Sequence, residues 1–157
     1  FDKSNEIFIK TVGTFIASKR TLFNFNRKRD NISEVLDAYY ETYKYIKDNL
    51  ELLDKKKDKE LYSLSVEMLK KLNNFLATHQ NDYRRWYKKI DESDEIKVPG
   101  SESITVHKTS IEVVQKNYYR YDELLEGIKS INEYFSQENI QNAFKIEEFD
   151  WSEELDA

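Results

Sequence analysis

Cysteine is missing from this chain, and the two residues that break helices are nearly so, with one proline and three glycines in 157 residues. The lack of cysteine excludes a disulfide framework, a thiolate metal site and a cysteine nucleophile. The scarcity of breakers favours long, uninterrupted helices. Long apolar runs are absent as well. The stretch from Ile7 to Ala17 is interrupted by Lys10 and Thr11; it is too short to span a bilayer, and it lacks the uninterrupted apolar run of a signal peptide. No glycine-rich phosphate loop occurs, which removes the ordinary nucleotide-binding motifs. Histidine appears only at positions 79 and 107. Neither follows a glutamate by three residues, as a di-iron helical bundle requires, and neither belongs to a His-Glu-x-x-His pair.

What is present is apolar periodicity. Ile32, Val35, Leu36, Tyr39, Tyr43, Ile46, Leu50 and Leu53 form one stripe in steps of three and four. A second runs through Leu61, Leu64, Met68, Leu72, Phe75, His79, Tyr83, Trp86 and Ile90. A third joins Ile111, Val114, Tyr118, Tyr121, Leu125, Ile128, Ile131 and Phe135. Such spacing holds side chains on one helical face, and each face must then be covered. A broader pattern from Ile7 to Phe23 predicts a first helix ending near residues 24–26, although Gly13 lies inside it. The fourth helix is expected from Ser110 to about Ser136. Before it, Asp91 to Ser103 reads as a loop around Pro99-Gly100, and Thr105-Val106-His107 is compatible with extended chain.

These stripes predict an all-α fold: a mostly antiparallel four-helix bundle with one long helix at about 59–91 and an acidic C-terminal extension. Residues 1–144 are expected to form the bundle domain and residues 145–157 an acidic, aromatic tail. The long helix outruns its neighbour, so another helix or a second protein chain must cover its excess length.

The net charge of −5 is unevenly distributed. Residues 55–91 carry ten Lys/Arg against five Asp/Glu, whereas residues 92–157 carry six against sixteen. Alternating basic and acidic segments attract one another and argue against a wholly basic nucleic-acid surface. The densest cationic and aromatic run is residues 81–89. There Arg84 and Lys88 are expected on one helical face, Arg85 and Lys89 on the adjacent one, and Tyr87 free to stack. These four cations are the candidate contacts for an anion or nucleic acid. In the tail, Phe149, Trp151 and Leu155 offer apolar anchors, and Glu148, Asp150 and Glu154 supply charge for a basic partner groove. The alternative is a strap over the chain's own basic patch. His79 lies on the second stripe and reads as a core imidazole bonded to a tyrosine hydroxyl, or as a proton-transfer group. Tyr40, Tyr45 and Tyr119 fall off the stripes and point to a second face.

The function expected from these features is a non-catalytic helical interaction or regulatory module, not an enzyme, with no cofactor and no metal. Its partner is expected to be a protein or a second copy, with nucleic acid as the alternative. The bias toward tyrosine, lysine, asparagine and isoleucine fits an AT-rich bacterial or phage source. Because the chain starts at Phe1, it is expected to be a processed form, a fragment or an excised domain. A cytoplasmic location is expected. Membrane contact through the N-terminus is the lesser alternative, with Lys19, Arg20, Arg27, Lys28 and Arg29 as a cationic flank.

Overall fold

The computed structural model describes residues 3–97, 99–100, 105–107, 109–146 and 151. The class is all-α. Six helices appear among the described residues: α1 (Ser4–Ser18), α2 (Ile32–Asn49), α3 (Lys59–Ser93), α4 (Ile111–Lys116), α5 (Tyr121–Phe135) and α6 (Glu138–Phe144). The stripe predicted at about 59–91 is α3, 35 residues long, or about 52 Å at the helical rise. A two-stranded antiparallel hairpin, β1 (Glu95–Lys97) with β2 (Thr105–His107), separates α3 from α4 and pairs Ile96 with Val106. The Asp94 carboxylate holds the base of this hairpin by accepting from the Thr109 amide at 3.1 Å and its hydroxyl at 2.5 Å.

Local chemistry sets the helix ends. Asn31 caps α2 by accepting from the Ser33 amide at 2.8 Å, which satisfies one of the free donors of the first turn. The first helix stops earlier than its apolar pattern predicts, at Ser18. The Arg20 guanidinium pairs with Asp30 through both nitrogens, at 3.0 and 2.5 Å. It also donates to Asn24 at 3.1 Å, so residues 19–31 fold into a tied loop that opens with a 3-10 turn at Arg20–Leu22 and does not continue the α-helix. At the other end of the chain, Lys145 adopts a left-handed conformation with φ 55°. The Ile146 amide then reaches back to the Gln141 carbonyl at 2.9 Å, a C-terminal closure usually left to glycine.

The predicted fourth helix is two helices, with a break at residues 117–120. Arg120 accounts for the turn. It donates to Asp82 at 2.6 Å and to the Thr78 carbonyl at 3.1 Å, and it holds Glu123 through its other nitrogens. Four hydrogen bonds onto α3 and α5 fix a bend that the apolar period conceals.

Helix α2 lies along α3, α1 packs on α2, α6 on α1 and α5 on α3. Two glycines permit the closest of these approaches. A Cβ at Gly13 would strike the Phe144 carbonyl of α6, and one at Gly127 would lie 2.9 Å from the Phe75 ring and 3.0 Å from His79. The far end of α3 is covered from within the chain. Tyr118 inserts edge-on against Tyr83, with centroids 5.0 Å apart, and lies 5.2 Å from Trp86. The core is continuous from Phe8 and Leu22 through Leu36, Met68 and Leu72 to Leu124, Ile140 and Ile146. Ile146 therefore belongs to the packed body, although it stands in what the sequence marks as the tail.

Candidate interaction surface

The long helix brings part of the basic run together and divides the rest. Arg85, Lys88 and Lys89 line one cleft of about 660 Å³ with Asp82, Trp86, Glu92 and Tyr119. Arg84 does not line this cleft and donates instead to Asp37 of α2 at 2.7 Å. Lys88 lines the cleft with Arg85 and Lys89, while Arg84, one turn before it on the helix, is drawn toward α2. Among the described residues, Arg85, Lys88 and Lys89 have no ion-pair partner. Of the two carboxylates in the cleft, Asp82 is held by Arg120 at 2.6 Å.

Tyr87 is not the free ring that the sequence predicts. It stacks on Tyr83 at 15° with centroids 5.7 Å apart, and burial and the nearby Asp91 charge raise its hydroxyl pKa. The exposed ring is Tyr119, at 70%, which meets Tyr118 edge-on with centroids 5.1 Å apart. Its neighbour Tyr118 faces the core at 2%. Adjacent residues on a helix or a tight turn cannot share a face, and the Tyr118-Tyr119 pair signals this in sequence. Tyr40, which also falls off the stripes, is 51% exposed, while Tyr45 stacks on Phe15 at 4.2 Å.

Behind the cleft, the core carries polar atoms without partners. Among the described residues none reaches the Tyr118 hydroxyl, the Tyr121 hydroxyl or His79 Nδ1. Burial raises the pKa of both tyrosines. The expected bond from His79 to a tyrosine hydroxyl is not made at Nδ1. The ring packs on Phe75 at 5.0 Å instead. Burial, then the Arg120 charge, lowers the imidazole pKa against the smaller opposing pull of Glu123 and Asp82. The imidazole is therefore neutral near pH 7. Gln115 is satisfied and joins three elements. Its carbonyl accepts from the Ile32 amide at 2.7 Å, and its amide donates to the Asp30 carbonyl at 3.1 Å.

The tail contributes one described residue, Trp151. Its indole donates to the Ala17 carbonyl at 2.7 Å, and its own carbonyl accepts from the Asn24 side chain. Ala17 lies in the last turn of α1, where carbonyls lack helical partners. Glu148, Phe149, Asp150, Glu154 and Leu155 lie outside the described residues. Asn24 and Ala17, which receive Trp151, carry no signal in the sequence, since more than a hundred positions separate them from it.

Among the described residues, no three His, Asp or Glu side chains gather as metal ligands would, and no helix is long and apolar enough to cross a membrane. Comparison of the chain with family models, with curated proteins and with solved structures yields no match.

Proposed function

We propose that this protein is a non-catalytic helical interaction module of the cytoplasm that binds an acidic protein segment in the cleft at the far end of α3. The observation that carries this reading is Tyr119, 70% exposed, in one cleft with Trp86 and the cations Arg85, Lys88 and Lys89. Aromatic side chains and arginine are enriched at protein interfaces and dominate their hot spots. Unpaired cations around them steer an anionic partner and fix its register.

Single-stranded nucleic acid is the second reading, supported by the same exposed ring, on which a base could stack. One carboxylate in the cleft weighs against it. Glu92 interrupts the cationic surface, Asp82 being paired with Arg120, whereas a phosphate backbone is best served by an unbroken one. A protein segment can place its acids opposite the cations and its apolar side chains on the rings.

The test is retention from a lysate of the source cells at low and high salt, using the whole chain beside an R85E/K88E/K89E variant. An acidic protein held by the wild type and lost by the variant is the expected result. Nucleic acid held only at low salt would transfer the assignment to the second reading. Equal retention by both chains would remove the cleft from the account.

A further inference from the structure

Trp151 occupies a site that reads a tryptophan without using the covalent connection to the chain. One hydrogen bond runs from the indole Nε1 to the Ala17 carbonyl at 2.7 Å, and the other from the Asn24 side chain to the Trp151 carbonyl. Both involve only a tryptophan residue and its own backbone. With Trp151 seated, Ala17 is 3% exposed and Asn24 4%. The Asn24 oxygen accepts from Arg20 at 3.1 Å, and Arg20 is in turn fixed by Asp30. The Asn24 amide is thereby aimed independently of Trp151, and without Trp151 it loses this acceptor while the Ala17 carbonyl loses its indole donor.

The surroundings fit the composition of the tail. Arg27 and Lys28 are exposed on the same loop, and with Lys129 and Asn24 they line one cleft of about 640 Å³ that holds a single carboxylate, Glu133. The sequence flanking Trp151 carries six carboxylates between Glu147 and Asp156. Trp151 itself is only half-buried, so its exchange costs less than removal of a core side chain.

We propose that the junction of α1 with the Phe23–Asn26 loop is a binding socket for a partner peptide that carries a tryptophan among acidic residues. Trp151 of the chain's own tail fills it in cis and so limits access. This socket is separate from the cleft on α3, and it does not depend on that assignment.

The experiment titrates a fluorescein-labelled peptide of residues 145–157 into full-length chains and follows anisotropy. The Trp151→Ala chain is expected to bind the peptide, and the wild type to bind it at least ten-fold more weakly because its own tail competes. The same peptide carrying Trp151→Ala is expected not to bind. Asn24→Ala added to the Trp151→Ala chain is expected to lower affinity several-fold. Should Trp151→Ala impair folding, Trp151→Phe keeps a ring and removes the indole donor, and the same gain in peptide binding over wild type is expected. A folded Trp151→Ala or Trp151→Phe chain with no gain over wild type overturns the proposal. So does peptide binding that disappears with R85E/K88E/K89E, since the peptide would then be held by α3. Loss of lysate partners from that charge-reversed chain, with peptide binding intact, separates the two sites.

Discussion

The two halves of α3 are made of different side chains. The first half contributes Met68, Leu72 and Leu76 to the core, apolar groups with no polar atom to satisfy. The second half contributes His79 and Tyr83 and leaves Trp86 and Tyr87 partly exposed. The three buried side-chain atoms without partners among the described residues are on that half or on Tyr118 and Tyr121, whose hydroxyls act on Tyr83. The cleft lined by that half also holds unpaired cations and Tyr119, the most exposed large ring among the described residues. Packing with local hydrogen bonding accounts for the first half's buried side chains, Ser65 included, whose hydroxyl donates to the Leu61 carbonyl at 2.8 Å. It does not account for the second, and residues that break the local rules of stability concentrate where binding is done.

Truncation at the aliphatic half should have the largest effect. Leu72→Ala empties a fully buried site and is expected to lower unfolding free energy by about 2–5 kcal/mol, as read from urea denaturation. Gly127→Ala tests the close approach of α5 and α3. Its new methyl would lie 2.9 Å from Phe75 and 3.0 Å from His79, and moving those rings is expected to cost about 1–3 kcal/mol. A gain in stability would show that the rings give way freely, with helix propensity deciding the outcome.

A pH titration of stability should separate the halves further. The folded state lowers the pKa of His79 from its ordinary 6.5, chiefly by burial. The unfolded chain therefore binds a proton that the folded chain resists. Stability is full above pH 6.5 and falls as the pH drops below it. Relative to wild type, His79→Gln is expected to flatten that decline, as measured by thermal melts across the range. The smallest effect belongs to Tyr118→Phe, which deletes a buried hydroxyl without a described partner. It should be neutral, or stabilising by up to about 1 kcal/mol. A loss well beyond that would reveal a bond to this hydroxyl and shrink the contrast between the halves.

The sequence makes the aliphatic half easier to read than the other. Steps of three and four locate α2 and α3 because these helices bury one face continuously. The same period runs through Val114, Tyr118 and Tyr121, so it conceals the break at residues 117–120. That bend depends on Arg120 reaching Asp82 and Thr78, contacts spanning about forty positions. The basic run 84–89 is visible as composition. Its division is not, since Arg84 is turned away by Asp37 on a different helix. Tyr119 is partly legible, because two adjacent tyrosines cannot both face inward. The contacts of Trp151 are not, because Ala17 and Asn24 meet it only through tertiary folding.

If the cleft at the far end of α3 serves a partner as proposed, Tyr119 contributes to retention and little to stability. The Tyr119→Ala chain is compared with wild type for retention of the acidic partner, with a denaturation curve on the same samples. Retention is expected to be lost while unfolding free energy moves by no more than about 0.5 kcal/mol. Undiminished retention, or a loss that occurs only with unfolding, would contradict the proposal.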